Sequence, residues 1–366
     1  MTKDRKLKDT FNKEEISFLE TYLNNTSPTT AELEGQKKWL DYLKPYLDDY
    51  FVDAYGSVAG IINPGKDLKV VIEAHADEIA WFVNYITEEG YIYVARNGGS
   101  DHLAAPSKAV NIHGEKGIVR GVFGWPAIHT RKGDKEETPK LKNIFVDCGC
   151  STKEEVEALG IHPGTIITFD DPFEILNDKY FKARALDNRI GGFMIAQVAK
   201  KLKENNIELP FSLYVVNCVQ EEIGLRGAEM MANRIKPDVA IVTDVCHDTW
   251  IPMVDKQVEG DTRSGKGPVL SVGSAVHPLL FKHIVAAGNK AEIPIQRRAA
   301  SRGTGTDTDA FAYSNSGVPS ALISLPIKYM HTTVEMTHYQ DVESTIDLIF
   351  ESLKTIKGTS QFSHKL

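Results

Sequence analysis

Between Ile79 and Phe173 the chain abandons helical periodicity, and this interruption limits what the rest can fold into. Short β-type runs recur there: Trp81-Phe82-Val83, Tyr91-Ile92-Tyr93-Val94, Gly117 to Val122, Asn143-Ile144-Phe145-Val146 and Thr165 to Phe169. Gly, Pro and charged turns separate them, and the one helical stretch is Lys153 to Leu159. Short strands at this spacing predict a small barrel or sandwich. After Arg184 the grammar changes. A helix from Asn188 to about Glu204 is followed by a strand Phe211 to Val219, a helix Leu225 to Ile235 and a strand Val239 to Asp244. A helix near Pro278 to Lys290, a strand Ala321 to Leu325 and an amphipathic helix from about Asp341 to Lys357 complete the series. Such alternation predicts an α/β layer structure with a parallel or mixed sheet.

Before the interruption, the first fifty residues read as helical, with Lys13 to Leu23 as one segment and Thr30 placed to cap a second through Trp39 and Leu43. Strand-like runs follow at Tyr50 to Tyr55, Gly60 to Gly65 and Leu68 to Glu73. The strand around Lys69 to Ala74 therefore belongs to the α/β layers, and the β-rich block is inserted after it. The expected fold is α/β: a mixed-sheet α/β/α domain over 1–78 and 178–366, with a small β-barrel-like domain inserted at 79–177.

Charge excludes some partners. The 366 residues carry 42 Lys plus Arg against 50 Asp plus Glu, a net charge of −8, which lacks the basic footprint of a nucleic-acid binder. No apolar run reaches membrane-spanning length, so no membrane partner is expected. The segment Met1 to Asp9 mixes charges and lacks the apolar core of a signal peptide. Four cysteines (Cys148, Cys150, Cys218, Cys246) are too few for a disulfide scaffold, and Cys148-Gly149-Cys150 has the wrong spacing for a zinc ribbon. Reduced thiols in a cytoplasmic protein are the simplest expectation.

Five segments put His, Asp or Glu where a strand of the α/β part runs out, and open α/β sheets collect ligands at the carboxyl ends of their strands. Val70 to Glu78 holds His75 and Asp77 two apart, on one strand face. The carboxylate can take one imidazole N–H while the other nitrogen binds a metal, although a lone His-x-Asp also reads as ordinary surface. Ala185 to Arg189 places Asp187 at a helix start, where capping is the usual role of an Asp. Val215 to Gly224 closes an apolar strand with Glu221 and Glu222. Neighbours on a regular strand face opposite ways, so both serve one site only if the backbone turns, as Gly224 would allow; otherwise they are a solvated pair. Val239 to Asp244 ends on an acid, and Ile327 to Thr332 carries Lys328 and His331.

Together these residues are the ligand palette of zinc, cobalt or manganese. Two divalent ions about 3.5–4 Å apart form a known hydrolytic centre. Asp187, Glu222 and Asp244 with a bridging hydroxide neutralise two such ions, whereas without ions three carboxylates would crowd together in a low-dielectric site. Glu221 is then a carboxylate beside the ions, suited to take a proton from water and give it to a leaving amine.

In this order, His-x-Asp-Glu, Leu-Asp-Asn-Arg, Gln-Glu-Glu-x-Gly-Leu-Arg-Gly-Ala, Thr-Asp, Gly-Thr-Asp and Tyr-Met-His-Thr resemble segments of the M42 family over essentially the whole chain. These are the glutamyl and tetrahedral aminopeptidases of the co-catalytic zinc exopeptidase clan. The resemblance implies a zinc-exopeptidase catalytic domain that removes N-terminal residues from short peptides by a water activated between two divalent ions, Zn2+ or Co2+, with Mn2+ a further candidate. It implies that His75 and Asp244 hold one ion and Glu222 and His331 the other, with Asp187 bridging. Glu221 would be the base, and Asp77 would steady His75. It also implies dimers, joined partly through the inserted domain, that assemble into a tetrahedral dodecamer. Two departures fall near the implied substrate contacts, Lys328 and Asp307. Lys328 stands where the family often has Arg, keeping the charge without the planar fork. The loop Gly305 to Ala310 is two residues longer than the simpler Gly-Thr-Asp-Ala, leaving open whether Asp307 or Asp309 takes the usual place.

A related di-metal carboxypeptidase or N-acyl amino acid deacylase is the alternative enzyme, and a non-catalytic assembly scaffold is the alternative from another class; no ligand or base is missing, as a scaffold would require. Ser-His-Asp catalysis lacks a nucleophile elbow. Nothing favours the acid and nucleophile of a glycosidase, a label some relatives have carried.

Overall fold

The computed structural model describes residues 6–131 and 137–364. Met1 to Arg5 of the N-terminal segment read above lie outside the described residues; Leu7–Thr10 form a short helix. Two layers of helix enclose an eight-stranded mixed sheet, whose spatial order is Asp49–Val52, Val58–Ile62, Ser212–Cys218, Lys69–His75, Val239–His247, Ser320–Ile327, Val269–Gly273 and Gln296–Ala300. The four central strands, from Ser212–Cys218 to Ser320–Ile327, run parallel to one another. They are buried on both faces, as near-continuous runs such as Val239 to Val242 require.

Strand periodicity divides the core in two. Val70, Ile72, Leu213, Val215 and Ile241 face the helices Lys13–Asn24, Leu33–Leu43, Leu186–Glu204, Pro278–Lys290 and Tyr339–Leu353. Val71, Val216, Cys218, Ala240 and Val242 face the helices Arg226–Ile235 and Asp307–Ala312. Gly227 sets how closely the first of these approaches, because a Cβ there would lie 2.2 Å from the Val219 carbonyl oxygen. The buried Arg189 ties the helix Leu186–Glu204 to the N-terminal helices, donating to the carbonyls of Tyr22 at 2.7 Å and Asn25 at 2.9 Å. Its guanidinium also lies over the Tyr22 ring at 4.0 Å, which accounts for the Arg of the Leu-Asp-Asn-Arg run.

The β-rich block is a closed six-stranded barrel in the order Ala80–Ile86, Ile92–Asn97, Phe145–Asp147, Gly117–Gly124, Ala109–Gly114 and Ile166–Phe169. Its core is separate and is built on Trp81, Ile112, Phe123, Val146, Ile167 and Phe169. A small antiparallel sheet of Glu174–Leu176, Tyr180–Ala183 and Glu335–His338 returns the chain from the barrel to the main domain, with Ala183 opposite Glu335.

Some local expectations change. Thr30 does not cap a helix: it sits at φ 82°, and the second helix begins at Leu33. The strand expected to Tyr55 stops at Val52, and the last long helix stops at Leu353 instead of Lys357. The barrel strand Ala109–Gly114, the strand Val269–Gly273 and the edge strand Gln296–Ala300 were not expected. Among the described residues, no helix is long and apolar enough to cross a membrane.

Candidate metal centre

Parallel pairing brings the five segments to one end of the sheet. Cys218 lies opposite His75, so the chain leaving each strand enters the same cleft. After Cys218 the backbone reverses through Gln220 at φ 59°, Gly224 at φ 116° and Leu225 at φ 63°. This is the turn required for Glu221 and Glu222 to face one site. Asp77 holds it: the Glu221 N–H donates to its Oδ1 at 3.0 Å and the Glu222 N–H to its Oδ2 at 3.2 Å. The Thr29 hydroxyl donates to Oδ2 at 2.7 Å, and His75 Nδ1 lies 3.3 Å from Oδ1. One buried carboxylate therefore positions an imidazole and the acidic turn together.

The other histidine is fixed from two sides. Glu335 accepts the His331 N–H on Oε1 and the Asp187 N–H on Oε2, both at 2.9 Å. The barrel contributes Gly99, where a Cβ would fall 2.5 Å from His331 Nδ1; a side chain there would push the imidazole aside.

The functional atoms converge on Asp187. Its Oδ1 lies 3.2 Å from His75 Nε2 and its Oδ2 lies 3.1 Å from His331 Nε2. Asp244 Oδ1 and Glu221 Oε2 each stand 3.8 Å from His75 Nε2, and Glu222 Oε2 stands 3.5 Å from His331 Nε2. Among the described residues three overlapping donor triads result: His75 with Asp187 and Asp244, Asp187 with Glu222 and His331, and His75 with Glu221 and Glu222. Asp187 does not cap its helix in this arrangement; the regular helix starts after Asn188, whose side chain donates to the Thr243 carbonyl at 2.8 Å.

Electrostatics show what so much acid costs. Burial, then the neighbouring acids, raises Glu222 and Asp244 well above the usual carboxylate range, while burial raises Glu221 to about 8. Burial alone would lower His331, but Asp187 and Glu222 outweigh it and bring the imidazole to about 10. At His75 burial is likewise overcome by Glu221, Asp187 and Asp77. Asp187, held by both imidazoles against its own burial, falls below its ordinary range. Buried carboxylates facing imidazole nitrogens need cations to neutralise them, and Glu222 Oε1 is buried with no hydrogen-bond partner. The donor set is oxygen and nitrogen, which suits borderline divalent metals.

His75, Asp77, Asp187, Glu221, Glu222, Asp244 and His331 are thus brought together, whereas the two expected substrate contacts are not part of the cluster. Lys328 lies with its ammonium 5.0 Å from the Tyr180 ring centroid. Asp307 is buried beside Glu73 and Cys218, while Asp309 turns back to accept the Thr304 N–H at 2.9 Å. Sequence reasoning missed Glu335 and Thr29, whose polar neighbourhoods give no local signal. It also assigned no role to Glu78, which pairs with Arg184 at 2.9 Å beneath the site.

An α/β/α domain with an inserted barrel, and a buried acid–imidazole centre at the strand ends, is the arrangement of a metal-dependent hydrolase. A family profile described as M42 glutamyl aminopeptidase matches residues 56–348, and the chain belongs to that family of metal-dependent aminopeptidases. It is 35% identical over 320 residues to the lysyl aminopeptidase of Pyrococcus furiosus, spanning 87% of this chain and 90% of the relative. Among solved structures it is similar to a TET aminopeptidase from a marine-sediment Thaumarchaeota archaeon, with TM-score 0.91 and 28% identity over 96% of this chain and 99% of that one. The Pyrococcus horikoshii TET1 peptidase, described as able to assemble into a tetrahedron or a large octahedral shell, matches with TM-score 0.81 and 29% identity over 92% of this chain and 98% of that one.

Proposed function

We propose that this aminopeptidase removes single residues from the N-termini of short peptides using two divalent ions, zinc or cobalt, with manganese also able to fill the sites. His75 and Asp244 would hold one ion, Glu222 and His331 the other, and Asp187 would bridge. The observation that carries this reading is the orientation of Asp187, whose two carboxylate oxygens face different imidazoles at 3.2 and 3.1 Å. The ions, when bound, would supply Lewis acidity toward water and the scissile carbonyl and an anchor for the free amino terminus.

The chain's own groups would do the rest. Glu221 would take a proton from water on its carboxylate and return it to the leaving amine. Its Oε2 stands 3.8 Å from His75 Nε2, beside the ligands and outside the pair of bridging contacts. Asp77 would keep Glu221 in reach by holding its backbone N–H, and would fix the His75 ring from behind. Lys328 is kept as a candidate substrate contact, whereas Asp307, buried beside Glu73 and Cys218, is not open to a substrate. We assign residues 79–177 to the inserted domain. We further propose assembly into a tetrahedral dodecamer, supported by the shells described for the similar TET1 peptidase. Cytoplasmic location is proposed on the strength of four unpaired cysteines.

The test is metal-stripped enzyme refilled with zinc, cobalt or manganese and assayed on aminoacyl-nitroanilides beside N-acylated amino acids. Cleavage of the free-amine set only, dependent on added metal, is expected. Turnover confined to the blocked set, or unaffected by stripping, would refute the reading.

A further inference from the structure

One group of donors remains outside the centre described above. Glu73 lies two residues before His75 on the same strand face, one step deeper in the sheet. Cys218 ends the adjacent strand, and Asp307 opens the helix Asp307–Ala312 that packs on this face. One donor atom of each lies within 4.8 Å of the others, and all three residues are buried, Glu73 and Cys218 with 0% exposure and Asp307 with 1%. No donor from outside the cluster reaches the four carboxylate oxygens of Glu73 and Asp307, which face only each other and the Cys218 thiol. Two other buried acids, by contrast, are satisfied by the backbone: Asp341 accepts two N–H groups, and Glu335 accepts two more.

Two buried carboxylates without donors need positive charge between them. A single shared proton satisfies only one hydrogen bond and leaves the remaining oxygens unpaired. A divalent cation is neutralised by the Cys218 thiolate and one of the two carboxylates, while the other carboxyl keeps its proton and binds through its carbonyl oxygen. We propose that Glu73, Asp307 and Cys218 form a further, closed cation site for a borderline divalent metal of the zinc or cobalt type, beneath the catalytic centre and independent of it. Two oxygens and one sulfur match the ligand preferences of those ions, and a second carboxylate oxygen can complete four-coordination. Binding releases the thiol proton, keeps one proton on the carboxyl pair and leaves the metal's oxidation state unchanged. The ion joins three segments: the strand that ends at His75, the strand that leads to Glu221 and Glu222, and the helix that begins at Asp307. Its role is to brace the strand ends that present the catalytic groups.

Sulfur separates this site from the catalytic one, whose ligands are all oxygen and nitrogen. Cobalt-loaded whole protein should show a thiolate-to-cobalt charge-transfer absorption in the near ultraviolet. Elemental analysis should find one more ion per subunit than the centre at Asp187 accounts for. The band should vanish in Cys218→Ser together with one equivalent of bound metal, and should persist in a Cys148→Ser/Cys150→Ser variant, whose thiols lie 3.7 Å apart and are the competing sulfur source. Glu73→Gln, read by the same band, covers the case in which Cys218→Ser fails to fold. A saturated cobalt enzyme with no such band, or a band unchanged by Cys218→Ser or by Glu73→Gln, overturns the proposal and leaves the two carboxyls sharing a proton. Failure of this test leaves aminopeptidase activity and the centre at Asp187 untouched.

Discussion

Asp77→Asn is the sharpest probe of how the centre is built. The carboxylate accepts from Glu221 N–H at 3.0 Å, Glu222 N–H at 3.2 Å and the Thr29 hydroxyl at 2.7 Å, and faces His75 Nδ1 at 3.3 Å. An amide must point its NH2 at one side or the other. Toward Oδ1 it opposes the Glu221 N–H and the imidazole; toward Oδ2 it opposes the Glu222 N–H. Either way one hydrogen bond to a charged acceptor is lost, about 1.5–3 kcal/mol, and a buried backbone donor is stranded at about 1–3 kcal/mol. Because part of that strain is relieved by small shifts, we expect destabilisation of roughly 2–4 kcal/mol. Losing the carboxylate behind a ligating histidine should also weaken metal binding about 10–100-fold. Chelator-competition titration gives the affinity and denaturant unfolding the stability. Activity should fall at limiting metal and recover substantially when metal is raised. An Asn variant that binds zinc or cobalt as tightly as the parent, with unchanged kcat/KM at limiting metal, would show that Asp77 does not position the ligand set.

Three further outcomes follow from individual groups. Glu221→Gln should lower kcat by about 10²–10⁴ while metal content, read by elemental analysis, stays at the parent value. Gly99→Ala should displace His331, since the added Cβ meets Nδ1 at 2.5 Å; a loss of metal affinity of about tenfold or more in the same competition titration is expected, with the barrel's own fold retained. Asp341 gives a pH signature. Burial raises its carboxyl from 3.8 to about 7, against two backbone N–H bonds that pull the other way. Between those pH values the folded state keeps a proton that the unfolded chain has lost, so this residue's contribution to stability falls as pH rises, by up to about 4 kcal/mol, and levels off above pH 7. Asp341→Asn should remove that slope from unfolding curves measured between pH 4 and 8.

Much of the catalytic arrangement was legible because it obeys strand geometry. Glu73, His75 and the run Val70 to Ala74 announce a buried parallel strand and its end, and Asp244 and Glu222 follow strands of the same texture. The insertion was legible because its turns and β-branched runs differ so plainly from the flanking helices. What stayed hidden depends on contacts made across the fold. Glu335 looks like one more acid after a Thr-Thr-Val run, and only tertiary packing sets its two oxygens against the amides of Asp187 and His331. The edge strand Gln296–Ala300, with two arginines, lacks an apolar face to read. Thr30 has the composition of a cap, yet its N–H instead donates to the Glu32 carboxylate at 2.9 Å and the helix starts later. Motif position alone suggested a substrate role for Asp307 and Lys328, and burial argues against it for Asp307 only. Packing placed one beside Glu73 and the other over Tyr180.

Anomalous diffraction from crystals of active, zinc- or cobalt-loaded enzyme is the most direct check on the centre itself. The account requires two strong peaks flanking the Asp187 carboxylate, one reached by His75 and Asp244 and the other by Glu222 and His331. Fully active crystals with no peak between those side chains, or with a single ion that leaves Asp187 uncoordinated, would contradict it.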